Sequence, residues 1–202
     1  MTAILTALLL AAPLAGAPAT TTVSQAIEAM SGTRAEFVQR FTPRGFRNAQ
    51  VENGTVHFGT SPKMRWSYSK PEAKTFVFDG TTSWFYVPSD RQVTVNKLTD
   101  KDRQGLPFLL LADAKALARN YVIKESRRGD VITTNLTSRD PASMIRQITV
   151  TTSARNRTVQ KLEYSDRQGN RTEFMFSGYQ KVASPAGQFT FVAPTGVKVV
   201  QN

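Results

Sequence analysis

Hydrophobic and polar positions along this 202-residue chain change period twice near its start. Residues Met1 to Ala12 form an apolar run too short to span a bilayer, followed by the small residues Ala15, Gly16, Ala17, Pro18 and Ala19. Next, Thr22-Val23-Ser24-Gln25 reads as a capping box. Val23, Ala26, Ile27 and Met30 recur at helical spacing, and Gly32 stops the helix. From Arg34 the period drops to two. Ala35, Phe37 and Phe41 alternate with Glu36, Val38 and Arg40, and Met64, Trp66 and Tyr68 alternate with Lys63, Arg65 and Ser67. Further strands are predicted over Thr75 to Phe78, Ser83 to Tyr86, Gln92 to Lys97, Tyr121 to Glu125, Val131 to Thr137, Ile145 to Thr151, Val159 to Ser165 and Arg171 to Phe176. Asp79-Gly80, Gly129-Asp130 and the stretch Asp166 to Asn170 supply turns.

The alternation breaks once, at the apolar cluster Leu106-Pro107-Phe108-Leu109-Leu110-Leu111. Pro107 suits a first helical position, and Asp113 can cap a second piece carrying Leu117, Ala118 and Tyr121. Strands do not alternate with long helices, so the pattern predicts a mainly β (α+β) chain: a single curled antiparallel sheet with three short helices. Phe37, Phe41, Met64, Trp66, Tyr68, Phe76, Phe78, Trp84 and Tyr86 supply large side chains for its covered face. Periodicity leaves two outcomes open beneath the helices, a packed core or an apolar cavity.

Composition adds compartment and charge. The leader pattern predicts a secretory signal peptide over residues 1–19, cleaved after Ala19, although it has no Lys or Arg at its start. No cysteine follows, so acylation there is excluded, as are disulfides and thiolate metal sites. The expectation is an exported domain over residues 20–202. Lys and Arg number 26 against 15 Asp and Glu, a formal charge of +11 that favours anionic partners or surfaces.

Candidate chemistry is sparse. His57 is the chain's one histidine and sits in an alternating strand without a nucleophile elbow or metal-ligand partner, so it reads as structural. Glu28, Glu36, Glu52, Asp79, Asp113 and Asp130 are scattered among element ends and wet faces, without the convergence that paired-acid catalysis needs. No catalytic residue, metal site or cofactor is assigned. Arg34, Arg40, Arg44 and Arg47, with Arg155, Arg157, Lys161, Arg167 and Arg171, raise a nucleic-acid reading. It is disfavoured because the aromatics occupy the face opposite Lys63 and Arg65.

The segment Phe76-Val77-Phe78-Asp79-Gly80-Thr81-Thr82-Ser83-Trp84-Phe85-Tyr86, followed by Gln92-Val93-Thr94-Val95, resembles the DG-x-x-x-W-x-Y…Q stretch of the LolA family of periplasmic lipoprotein carriers. The likeness extends to Phe37-x-Gln39, Lys63-Met64-Arg65-Trp66-x-Tyr68-x-x-Pro71, the Pro107 to Leu111 helix and the ending Phe189-Thr190-Phe191-x-x-Pro194-x-Gly196-Val197-x-Val199, in order over nearly the whole mature chain. The resemblance implies a strongly curved, incomplete antiparallel β-barrel with three short helices as a lid over an apolar cavity. In that family a periplasmic, non-enzymatic carrier shelters acylated lipoproteins. It receives them from an inner-membrane ABC transporter and passes them to an outer-membrane acceptor. The nine aromatic and methionine residues named above would line the cavity. Val23, Ile27, Met30, Leu106, Phe108, Leu109 and Leu111 would form the lid's inner face, and a monomer is expected. Alternatives within the resemblance are a carrier of another lipid or hydrophobe, or a signalling relative that senses lipoproteins. One departure stands out. Many carriers place an arginine before the proline ahead of the third strand as a lid latch, whereas this chain reads Phe58-Gly59-Thr60-Ser61-Pro62-Lys63.

Overall fold

The structure, a computed structural model, describes residues 21–60, 62–183, 185 and 187–201. The predicted leader, residues 1–19, lies outside the described residues. The chain opens with helix α1 (Thr22–Ala29), capped by Thr21 rather than Thr22. The Thr21 side chain accepts from the Ser24 N–H. Six strands follow: β1 (Thr33–Thr42), β2 (Gln50–Phe58), β3 (Met64–Lys70), β4 (Lys74–Phe78), β5 (Thr82–Val87) and β6 (Gln92–Lys97). A helical interlude then contains α2 (Asp100–Gln104), a 3-10 helix (Pro107–Ala112) and α3 (Ala114–Asn120). The second run is β7 (Tyr121–Arg128), β8 (Val131–Ser138), β9 (Gln147–Ser153), β10 (Val159–Ser165), β11 (Arg171–Lys181) and β12 (Lys198–Gln201).

One expectation needs correction. The interlude has three helical pieces, not two, because Thr99 and Asp102 form a reciprocal capping box that starts α2. Tyr121, which the pattern gives both to the second helical piece and to the start of a strand, caps α3 and begins β7. The strands form one sheet in the order β12-β6-β5-β4-β3-β2-β1-β11-β10-β9-β8-β7. Every pairing is antiparallel except that of β12, which runs parallel to β6. The two runs therefore join through β1 and β11, and the helical interlude bridges their far edges.

Side-chain distances show how tightly this sheet curls. β3 and β11 are three strand spacings apart, about 14 Å on a flat sheet, yet the rings of Trp66 and Phe174 lie 5.3 Å apart. Phe78 on β4 and Tyr121 on β7, eight spacings apart in the order, line the same pocket beside α2 and α3. The sheet thus wraps into an open barrel whose seam is filled by helices. Alternation decides which residues turn inward. Ala35 and Phe37, Val56 and Phe58, Met64 and Trp66, Phe76 and Phe78, Leu136, Ile148, Val150, Leu162 and Phe174 join one buried cluster with α1 and the 3-10 helix.

Candidate functional site: an aromatic interior under a helical lid

The interior is built on adjacent inward positions of β1, β3 and β11. Phe37 meets the edge of Trp66 at 4.8 Å and of Tyr68 at 4.9 Å. Trp66 is flanked by Phe174 at 5.3 Å and Phe176 at 5.9 Å. From the lid side Phe108 enters this group, 5.4 Å from Trp66, 5.1 Å from Phe76 and 6.1 Å from Phe174. These edge-to-face and tilted contacts are the favoured geometry for aromatic pairs. The centre is therefore occupied by the protein's own rings, which answers the choice that periodicity left open. Beneath the helices, free space lies instead at two seams of the lid. One, of about 190 Å³, lies between α2, α3 and the sheet and is floored by Phe78, Leu109, Leu110 and Leu117. The other, of about 230 Å³, lies between α1 and the start of α3, against Phe58 and Leu111. Each is smaller than a typical pocket for a drug-sized ligand, about 300–1,000 Å³, so the helices close over a filled interior.

Most of the predicted lining falls on this inner face. Phe37, Met64, Trp66, Phe76 and Phe78 are buried there, and Tyr68 and Phe41 are half-buried toward the end remote from α1. Trp84 and Tyr86 do not line it. Phe76 pairs directly with Phe85 and Phe78 with Ser83, so the pleat turns Trp84 and Tyr86 to the outer face, in register with Val77 and Thr75. There the C-terminal segment covers Tyr86. Phe191 packs on Tyr86 at 5.3 Å, and the Phe189 ring fits against Gly59, where a Cβ would stand 2.7 Å from it. Of the predicted lid, Val23, Ile27, Met30, Leu109 and Leu111 are buried, while Leu106 and Phe108 are half-buried.

The inner face also contains residues that were not anticipated. Phe174 and Phe176 are central, and their alternation with Thr172 along Arg171 to Phe176 was the available signal. Leu110 is buried with its neighbours. At the end remote from α1, polar groups close the interior. The Tyr68 hydroxyl donates to Gln39 Oε1 at 2.8 Å, Lys74 pairs with Glu52, and the Lys74 ammonium lies 5.2 Å from the Tyr68 ring centroid. Burial, then the charge of Glu52 and the neighbouring Tyr164, pushes the Tyr68 phenol well above its ordinary range and keeps it neutral.

The lid is tied down by charges at helix ends. The Glu125 carboxylate, on the edge strand β7, accepts from the N–H groups of Val23 at 3.2 Å and Thr22 at 3.3 Å, and from the Thr134 hydroxyl at 3.1 Å. At the other end of α1, Lys181 Nζ donates to the carbonyls of Ser31 at 2.9 Å and Ala29 at 3.4 Å. Both contacts match the helix dipole. On the opposite side of the seam, Arg103 of α2 donates to the Gly80 carbonyl at 3.0 Å and lies 5.5 Å from the Phe78 ring centroid. Among the described residues, no cluster of three or more His, Cys, Asp or Glu could hold a metal, and no helix is long and apolar enough to cross a membrane.

The family model described as outer membrane lipoprotein carrier protein LolA matches residues 28–192. An outer-membrane lipoprotein carrier protein of Chromobacterium violaceum is 31% identical over 203 residues, covering 98% of this chain and 96% of that protein. A protein of the same name from Vibrio cholerae is 31% identical over 180 residues, covering 88% and 87%. Among solved structures, an uncharacterized conserved protein from Thermus thermophilus superposes with a TM-score of 0.55 at 12% identity, covering 89% of this chain and 97% of that one, a similarity of fold.

Proposed function

Because the chain belongs to the LolA family of outer membrane lipoprotein carrier proteins, we propose that it is a periplasmic, non-enzymatic carrier that shelters the acyl chains of lipoproteins. It would receive them from an inner-membrane ABC transporter and deliver them to an outer-membrane acceptor. The observation that carries this reading is the place of Phe108, a lid residue lodged among Trp66, Phe76 and Phe174. Withdrawing the Phe108 segment together with α1 would expose an apolar wall made by Phe37, Met64, Trp66, Tyr68, Phe76, Phe78, Phe174 and Phe176. Each methylene placed against such a wall contributes about 0.8 kcal/mol, so partial shelter of one acyl chain gives several kcal/mol without bond chemistry.

Release follows from the same geometry. The closed form satisfies its own interior, so a bound chain must be held against the tendency of Phe108 and α1 to return. The apparent affinity is lowered by the fraction of molecules that are open. A carrier without an energy source can thus yield its cargo to an acceptor that binds it more tightly. The test is to purify the protein from its own periplasm under native conditions and identify co-purifying molecules by mass spectrometry. An acylated N-terminal peptide is expected. A free phospholipid or fatty acid in its place, together with failure to restore outer-membrane delivery in carrier-depleted cells, would overturn the reading.

A further inference from the structure

The outer face of the sheet, turned away from the lid, carries an arrangement that the carrier reading does not use. Arg34 on β1 stands directly opposite His57 on β2, and His57 directly opposite Arg65 on β3. Three basic side chains thus form one row across adjacent strands, with neighbouring Cβ atoms about 5 Å apart. All three are half-buried. Among the described residues the Arg34 side chain makes no hydrogen bond or ion pair. Arg65 has a single long hydrogen bond, from Nη1 to the Gln188 carbonyl at 3.5 Å, and His57 Nδ1 is buried without a partner. Burial, then Arg34 and Arg65, pushes the His57 imidazole below its ordinary range.

Arg34 and Arg65 flank the imidazole on either side, about 10 Å apart at Cβ, and repel one another across it, while a buried ring nitrogen without a partner weakens the sheet further. Among the described residues neither cost is offset by an ion pair with a carboxylate. The nearest acid on this face, Glu36, is one row along β1, opposite Thr55, and forms no ion pair. We propose that the Arg34–His57–Arg65 row is an oxyanion site that takes a phosphate group, free or carried on a lipid headgroup. Two guanidinium forks flanking one imidazole set donors side by side for an oxyanion. The adjoining row, Glu36, Thr55 and Ser67, borders a shallow depression of about 490 Å³ also lined by Val38, Asn53, Ser69 and Ser177; its hydroxyls on β2 and β3, the side away from Glu36, leave room for the rest of a phosphate ester. The site lies on the face opposite Trp66 and Phe37, so it fills without opening the lid.

Because His57 is the chain's single histidine, its imidazole resonances report the site without ambiguity. The charged groups that face it are Arg34 and, one row away, Glu36 on β1, and Arg65 on β3. The experiment follows the titration of His57 by NMR in sodium phosphate and in sodium chloride of equal ionic strength. Phosphate is expected to raise the titration midpoint by about one unit over chloride, and the rise should vanish in the Arg34→Gln/Arg65→Gln variant. Arg34→Gln alone, which leaves the β2–β3 pair untouched, serves if the double variant does not fold. In a second arm, co-sedimentation with vesicles of phosphatidylglycerol in phosphatidylcholine assigns the source. Binding that falls in the same variant points to a headgroup, and binding that is absent or unchanged points to free phosphate. A midpoint equal in phosphate and chloride, or a phosphate-dependent rise that survives the substitutions, overturns the proposal.

Discussion

Replacing Glu125 with alanine should loosen helix α1 while leaving the sheet intact. The carboxylate accepts two of the first N–H groups of α1, at 3.2 and 3.3 Å, from a strand more than 100 residues away in sequence. A negative charge at a helix N-terminus contributes about 0.3–1 kcal/mol at an exposed site and up to about 2 kcal/mol in a favourable, partly buried one. Here the contact is part-buried at Val23 and exposed at Thr22, so about 1–1.5 kcal/mol is appropriate, with some of it arising from the Thr134 hydroxyl left unpaired. At about 1.4 kcal/mol per factor of ten, local opening of α1 becomes about five to twelve times more frequent. Hydrogen–deuterium exchange over Thr22 to Met30 reads this directly, because amides of a locally opening element exchange in proportion to its open population. Thr134→Val separates the hydroxyl's share. High salt should shrink the difference, since part of the contact faces water. Exchange in α1 that stays at the wild-type rate, or that rises equally across β1, β3 and β11, would refute the assignment of Glu125 as a tie on this helix.

Phe108→Ala removes the ring lodged among Trp66, Phe76 and Phe174. A fully buried Phe→Ala change costs about 3–5 kcal/mol, and the half-buried ring here should cost about 2 kcal/mol. Faster exchange over the 3-10 helix and tighter uptake of a fluorescent fatty acid are expected, and weaker uptake with unchanged exchange would count against a lid role. Gly54→Ala places a Cβ 2.0 Å from the Ser67 carbonyl oxygen, a backbone atom that cannot step aside, so the β2–β3 pairing should fail and the thermal midpoint fall sharply; a midpoint near that of the wild type would contradict this. On the outer face, burial alone would raise the Glu163 pKa, but hydrogen bonds from Lys161 and Arg171 outweigh it and hold the carboxyl below its ordinary value. A depressed carboxylate stabilises the fold above its unfolded pKa, near 4.5, and that contribution is lost as pH falls through the folded value. Glu163→Gln should therefore flatten the stability profile below pH 5 in chemical denaturation, and a profile parallel to wild type would exclude the effect.

The inner wall was legible wherever the period of two ran without interruption. Phe37, Met64, Trp66, Phe76 and Phe78 all follow from alternation within single strands. Trp84 and Tyr86 were misplaced because alternation says only that they share a face with each other. Which face is decided by the β4–β5 turn, where register pairs Phe76 with Phe85, and by the C-terminal segment that gives the outer face its own apolar cover. Phe85, the inward neighbour, is 39% exposed near the rim and looks in sequence like the odd residue out. The ends of α1 were illegible for a different reason. Glu125 and Lys181 lie in strands whose local pattern marks them as polar surface, and only the wrap of the sheet brings them to the helix. The short helix α2 had a readable signal in Thr99 and Asp102, but with no apolar stripe it left no periodicity to find.

The two outermost strands, β12 and β7, are not bonded to one another. In a fully zipped cylinder, girth is set by strand number and stagger, and widening it means tearing a ladder. Here the circumference has a gap bridged by short helices, so in a carrier of this build the girth would be set by how far the two flanks part from the β1–β11 spine and not by strand number alone.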